Sequence, residues 1–333
     1  MKTIRLCSII FGLLLATAVQ ASVEINEETF PDEAFRSMIT SLPEGKDGIL
    51  TDEEICSITY LSVKGDVANV KGIEYLKGLT MLDCNYCKVT ELDLSANTAL
   101  EIVRMELLPL ETMNVSGLSS LRYLLCQKIP LSKLDVSTCT ALQYLYVENG
   151  HLTELDLSNN INLKEVVLRG NQLTTLDISN NISLEKLDCS NNQLTGLVLP
   201  QSETLSKVEC YANHLSGENM DQLVASLPTV AKGDFYPYIE VADVDDEGPR
   251  TEFNVCTTSQ VETAKSKNWT VYGIYHFNSG YWEEYAGSAP TSIKSAIQDS
   301  TTTERYSLDG RRLATPPTKG IYIQNGKKYV VNK

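Results

Sequence analysis

Histidine is almost missing from this chain of 333 residues, which holds only His151, His214 and His276. A metal centre or a general base built from imidazoles therefore has few parts to draw on. Positive charge is also short: 28 Lys and Arg stand against 43 Asp and Glu, a formal net charge of -15. That deficit argues against nucleic acid as a partner, because phosphate backbones are held by clustered basic side chains. No apolar run reaches the roughly 20 residues that a membrane-spanning helix needs. The nucleophile elbow, paired zinc histidines, phosphate loop and dinucleotide glycine fingerprint are all missing. The chain reads as non-enzymatic, with no cofactor and no metal. Its 42% hydrophobic and 21% charged residues are ordinary for a folded protein with a real core.

Residues 1–21 read as a secretory leader. Lys2 and Arg5 precede an apolar stretch from Ile9 to Ala16, and Val19-Gln20-Ala21 offers small residues before Ser22. Removing that leader loses Lys2 and Arg5 and no acid, which takes the net charge to -17. The expected product is secreted or displayed at the cell surface, in a compartment where cysteines meet oxidising conditions.

The strongest signal is a repeat. Leu79, Leu100, Leu121, Leu142, Leu163, Leu184 and Leu205 are spaced by 21 residues, and Ile58 extends the series backwards. Apolar residues recur three, five and ten positions after each start, as in Leu184, Leu187, Cys189 and Leu194. The run Leu184-Glu185-Lys186-Leu187-Asp188-Cys189-Ser190-Asn191-Asn192-Gln193-Leu194 spells out L-x-x-L-x-C-x-x-N-x-L, the grammar of a leucine-rich repeat. Each copy supplies one short strand, and copies stack about 4.8 Å apart as a parallel sheet. No copy buries its leucines alone, so the core exists only in the stack. Asn171, Asn192 and Asn213 stand where a side-chain amide satisfies the turn between coils. Cys87, Leu108, Ile129 and Gly150 depart from that rule, which predicts less regular early repeats.

These residues carry a resemblance. The period of 21, the segments at 152–158 and 173–179, and cysteines at the inward strand position resemble the internalin-like cysteine-ladder proteins. Leu187-Asp188-Cys189-Ser190-Asn191-Asn192-Gln193-Leu194-Thr195 is similar to exported leucine-rich-repeat proteins of the Bacteroidetes. The resemblance spans 58–227 and implies an α/β repeat solenoid: a right-handed, curved parallel sheet used for protein or surface recognition. It implies no particular ligand.

Register explains the cysteines. Cys84, Cys126, Cys189 and Cys210 take inward strand positions, a structural ladder of free thiols that pack as small hydrophobes. Cys84 and Cys87 form a C-x-x-C, but zinc needs two further ligands and no second pair exists. Cys84 and Cys126 lie two coils apart, beyond disulfide reach. Cys189 and Cys210 lie on adjacent coils, near enough for a bond but poorly aimed for one. Cys56, Cys139 and Cys256 have no assigned place.

Residues 22–57 read as a helical N-terminal cap, with Phe35, Met38 and Ile39 on one helix face. Residues 43–54 resemble half a calcium loop. Pro43 and Gly45 would fill its first and third positions without carboxylates, which favours Thr51 capping a helix with Glu54 three residues on. Met220, Leu223, Val224 and Leu227 predict a closing helix, and the leucine period stops after Pro228. Residues 228–285 read as a capping or extension region, with strands near 235–241, 269–275 and 280–285 and a helix near 258–267. Its acidic cluster Asp243, Asp245, Asp246 and Glu247 reads as a solvated loop, with a weak cation site as the alternative. Residues 286–303 read as a linker. Residues 304–333 read as three small strands, similar to the C-terminal sorting modules of Bacteroidetes proteins exported by the type IX route.

Strand alternation places residues two, four and six after each start on the concave surface. There the middle repeats gather Ile102, Tyr123, Leu125, Tyr144, Tyr146 and Val167 side by side. Arg104, Glu106, Gln127, Glu148 and Arg169 surround them. An aromatic patch inside a charged rim is the composition of a recognition surface. The alternative is that tyrosines merely cover a sheet, as good strand formers do. The expectation is a secreted or surface-displayed, adhesion- or adaptor-type binder of a protein partner, with a glycan stacked on the tyrosines as the second option. An enzyme site around His276, Ser279, Tyr281 and Glu283 is the weakest reading. On the convex side Asp93, Asp135, Asp156 and Asp177 recur at one position, where carboxylates bond the adjacent turn or, less often, hold calcium. The oligomeric state is left open.

Overall fold

Within each repeat three or more apolar side chains point one way, and stacking is what hides them. In a computed structural model the chain is a leucine-rich-repeat solenoid, described over residues 22–239, 253–276 and 281–288. Beyond these, only strand backbone is described, at 244–245, 248–249, 305–307, 312–313, 319–324 and 327–332. The leader 1–21, the linker from 289 on, and Asp243, Asp246, Glu247 and Ser279 lie outside the described residues.

One sheet organises the molecule. Its strands are β1 (Tyr60–Val63), β2 (Met81–Asn85), β3 (Ile102–Glu106), β4 (Tyr123–Gln127) and β5 (Tyr144–Glu148), followed by β6 (Glu165–Val167), β7 (Lys186–Asp188) and β8 (Lys207–Glu209). They continue into β9 (Gly233–Ile239), β10 (Trp269–His276) and β11 (Tyr281–Glu284). Spatial order follows chain order through all 11 strands. Neighbours from β1 to β10 are parallel, and β11 turns back antiparallel on β10. The inward column Leu61, Leu82, Val103, Leu124, Leu145, Val166, Leu187, Val208 is paired strand to strand in that register. All eight are at most 2% exposed, each worth roughly 1.5–3 kcal/mol relative to solvent.

The sheet runs on where the leucine period ends. Val208 pairs with Phe235 and Phe235 with Val271, so two further coils extend the same core column. The steps lengthen because helices replace turns on the far side. Helix α3 (Glu218–Ser226) buries Met220, Leu223 and Val224, and α4 (Thr258–Lys265) buries Val261 and Ala264. Thr257 and Gln260 form a capping box at the start of α4.

At the other end, the cap holds α1 (Glu33–Ser41) and α2 (Asp52–Ser57) beside an antiparallel pair of strands, Ser22–Glu24 and Ile49–Thr51. Asp32 caps α1 by accepting from the Phe35 N–H at 2.8 Å, and Phe35 and Ile39 are fully buried while Met38 packs at the edge. Thr51 accepts from the Glu54 N–H at 3.3 Å, and Glu54 Oε2 accepts from the Thr51 N–H at 2.9 Å. That capping box occupies the carboxylate a calcium loop would need.

Two details correct the sequence-based picture. The early repeats are not the irregular ones: β2 to β5 are five residues long, β6 to β8 three. All these coils share a left-handed residue just past the strand, at Tyr86, Leu107, Lys128, Asn149, Gly170, Asn191 and Ala212. In later coils the turn amide takes the carbonyl at the strand's end, which shortens the ladder. The C-terminal module has four strands rather than three, because 305–307 and 312–313 pair antiparallel with each other. Among the described residues no helix is long and apolar enough to cross a membrane.

Candidate binding surface

The turns that aim the strands are held by two columns of asparagine. Asn171, Asn192 and Asn213 each accept from an N–H in the preceding coil, of Leu152, Leu173 and Leu194, at 2.8–3.1 Å. Their Nδ2 groups donate to strand-end carbonyls of both coils, as Asn192 does to Leu168 O at 2.9 Å and Cys189 O at 3.2 Å. Asn254 continues the column after a long excursion, accepting from the Leu215 N–H and donating to Cys210 O and Pro237 O at 2.7–2.8 Å. Cys256, two residues on and fully buried, takes the place that Leu215 holds after Asn213. A second column is formed by Asn97, Asn160 and Asn181, whose Nδ2 atoms each donate to two carbonyls of earlier coils. Cys139 fills a place in that column, with its thiol 3.5 Å from Val115 O.

The ladder cysteines Cys84, Cys126, Cys189 and Cys210 are all at most 1% exposed. Burial pushes the Cys126 thiol up to about 12 and the Cys189 thiol well above its ordinary range. On the convex side Asp93, Asp135, Asp156 and Asp177 each accept the N–H of a serine two residues on, at 2.9 Å. Those serine bonds hold Asp93, Asp135 and Asp156 below the usual carboxylate range. Among the described residues no group of three His, Cys, Asp or Glu could hold a metal ion.

The concave rows fall in register as alternation requires. Ile102, Tyr123 and Tyr144 are adjacent in one row; Arg104, Leu125, Tyr146 and Val167 in the next; Glu106, Gln127 and Glu148 in the third. Arg169 stands beside Glu148, their charged groups 3.3 Å apart. The patch is not freely exposed, because its rings cover one another: of these residues only Arg104 is exposed and the rest are half-buried. Tyr123 lies 6.1 Å from Tyr144 and 5.4 Å from Tyr146 by ring centroid, tilted 39° to each. The Arg104 guanidinium sits 5.4 Å over the Tyr123 ring and 3.9 Å from the Asp83 carboxylate. Burial, with the Glu165 carboxylate beside it, holds the Tyr146 hydroxyl above its ordinary value.

Next along the face lies a charged band. Asp188 and Glu209 sit side by side on β7 and β8; burial raises both above the usual carboxylate range, and the Asp188 charge adds to the rise at Glu209. Lys207 meets Glu209 at 2.9 Å, and Lys186 meets Glu165 at 3.5 Å. Beyond the band is an aromatic group that the sequence reading missed. Tyr236 stacks on Tyr272 at 5.0 Å and meets Trp282 edge-on at 4.2 Å, while Trp282 covers Tyr211 at 6.0 Å. Lys207 lies 5.3 Å above the Tyr236 ring. Tyr211 and Tyr236 are buried there as a small apolar cluster on the concave side. The alternating run Asp234-Phe235-Tyr236 was the available signal, had the sheet been followed past Pro228. Glu283 is exposed on β11, while the side chains of His276 and Tyr281 lie outside the described residues.

No protein-family model matches the chain. Internalin J of Listeria monocytogenes serotype 4b (strain F2365) is 38% identical over 71 residues, which are 21% of this chain and 8% of that protein. A solved functional domain of InlJ from Listeria monocytogenes, which includes a cysteine ladder, is 24% identical. That likeness covers 66% of this chain and 58% of that one, with a TM-score of 0.44. Internalin C2 from Listeria monocytogenes str. 4b F2365 is 22% identical over 65% of this chain and 98% of that one, with a TM-score of 0.49. In sequence, then, this leucine-rich-repeat chain is similar to Internalin J over one segment that spans less than a tenth of that relative.

Proposed function

We propose that the chain is an exported, non-catalytic interaction protein that binds a protein partner through its concave sheet. The observation that carries this reading is the Tyr123, Tyr144 and Tyr146 cluster, central on β4 and β5 and rimmed by Arg104, Glu148 and Arg169. Half-buried aromatics on a rigid sheet lose little side-chain entropy on binding and contribute large contact area. The sheet fixes their spacing, and the charged rim selects orientation. Export follows from the leader reading of 1–21, and surface delivery from the resemblance of 304–333 to sorting modules. The same reading divides the chain into a cap at 22–57, repeats at 58–227 and an extension at 228–285. A glycan is the second reading, favoured by tyrosine faces that present ring carbons for stacking on a sugar.

The test is a binding screen of the purified chain against surface proteins and a glycan array, beside a Y123A/Y144A/Y146A variant that keeps the wild-type melting curve. A protein hit weakened about 30-fold or more in the variant supports the reading. A hit that survives the triple change moves the site elsewhere on the chain and overturns it. A glycan hit lost in the variant selects the second reading.

A further inference from the structure

In the later coils the residue three beyond the inward strand position folds back onto it. Asn192 Nδ2 reaches Cys189 O, Asn213 Nδ2 reaches Cys210 O at 2.9 Å, and Asn171 Nδ2 reaches Leu168 O at 3.0 Å. The second repeat has the same turn, with Tyr86 left-handed at φ 54°, but carries cysteine at both places. Sulfur therefore meets sulfur: Cys84 Sγ and Cys87 Sγ are 3.4 Å apart. The other ladder cysteine of the early coils, Cys126, is separated from Cys84 by the coil that places Met105 between them.

We propose that Cys84 and Cys87 form a thiol–disulfide exchange site, which a small disulfide such as oxidised glutathione closes into an internal disulfide. The two thiols have unequal surroundings. Cys84 is fully enclosed, while Cys87 lies at the turn with 6% of its surface open. A hydrogen bond from the Cys84 thiol favours the Cys87 thiolate and lowers Cys87 to about 7, whereas the same bond and burial push Cys84 up.

Cys87 is thus the attacking thiolate and Cys84 the resolving thiol. Cys87 Sγ attacks one sulfur of the oxidant, breaks its S–S bond and releases one glutathione thiolate, leaving a mixed disulfide. Cys84 then gives up its proton, its sulfur attacks Cys87 Sγ, and the second glutathione leaves. Two protein thiols are oxidised by two electrons, one glutathione disulfide is reduced to two thiols, and the two protons pass to the departing thiolates.

The tryptic peptide 78–88 contains Cys84 and Cys87 and no other cysteine, so the site reads out by mass. The full chain is equilibrated in glutathione redox buffers under native conditions, free thiols are alkylated after acid quench and unfolding, and the peptides are weighed. The expected result is peptide 78–88 lighter by two hydrogens and unalkylated at oxidising ratios, reversed by dithiothreitol, with Cys126, Cys189 and Cys210 still alkylated. In Cys84→Ala the mixed disulfide of Cys87 with glutathione accumulates, and its rate of formation rises with pH through a midpoint above the wild-type value of about 7. In Cys87→Ala, Cys84 stays unmodified in the folded protein.

Peptide 78–88 keeping two alkylated cysteines at every ratio overturns the proposal. So does a bond that forms only in urea, or equal reactivity of the two single variants. If either variant fails to fold, the wild-type peptide mass and its pH dependence decide the matter alone.

Discussion

A single amide does the work of several backbone partners in this molecule, and Asn192 shows how much rests on it. Its Nδ2 satisfies Leu168 O, Cys189 O and Ser190 O, and its Oδ1 satisfies the Leu173 N–H, all of them buried. Asn192→Ala orphans these groups together, and a loss of about 3 kcal/mol in denaturant unfolding is expected. Asn192→Asp keeps the acceptor but loses the donors and buries a charge, so it fares no better than alanine; a mild effect of either change would contradict the ladder account. Asp188 gives the opposite sign. Its folded-state pKa is raised by burial, so ionising it weakens the fold as pH rises above the ordinary carboxylate value. Asp188→Asn keeps the acceptor for the Ser190 N–H and Oγ, now at 2.9 and 2.6 Å. The variant is expected to melt higher than wild type at pH 7, with the gain fading as pH falls below the usual carboxylate range. Melting curves across that range check it, and a lower melting point at pH 7 would sink it.

Between elements, the tightest constraint lies where the leucine period has already ended. Gly233 opens β9, and a Cβ built there would stand 2.5 Å from the Trp269 ring of β10. Trp269 is itself fixed, donating its Nε1–H to Pro228 O at 2.8 Å. Gly233→Ala is therefore expected to destabilise the β9–β10 pairing by about 2 kcal/mol, and to raise amide exchange in 233–239 and 269–274 first. Uniform exchange across the repeats would count against it. The same region shows why some of the fold was legible and some not. From Ile58 to Leu205 every column recurs at one spacing, so the inward face, the amide column and the concave rows could be read directly from the residues. Past Lys207 the step lengthens to Asp234 and then to Thr270, as α3 and α4 replace turns. The chemistry of the columns persists in Asn254 and Cys256, and in Phe235 and Val271, but the spacing that identifies a column is gone. The Tyr236, Tyr272 and Trp282 cluster was hidden for the same reason. Asn97, Asn160 and Asn181 did keep the spacing, yet Leu118 and Cys139 interrupt them and mask the column.

At the scale of the whole molecule, a solenoid is stable only if each end of its core is covered, since each coil contacts only its neighbours. Phe30, Phe35 and Ile39 cover one end from the N-terminal cap, all fully buried. The other end is covered by a coil, not by the closing helix alone: Phe235 lies against Val208 in register, and Trp269 and Val271 lie against Phe235 in turn. The repeats by themselves are therefore incomplete. A chain cut after Leu227 keeps every 21-residue repeat and helix α3, yet loses Phe235, Trp269 and Val271 and uncovers Val208 and Cys210. At roughly 1.5–3 kcal/mol for each large apolar side chain, about 5 kcal/mol or more is lost, comparable to the whole stability of an ordinary domain. The truncated chain is expected to be expressed as aggregate, or to lose its cooperative melting transition, whereas a chain ending at Ser288 keeps both. If the chain cut at Leu227 melted cooperatively near the longer one, the core would close at α3. The two coils beyond it would then be an appendage, and their aromatic cluster a surface feature rather than part of the fold's closure.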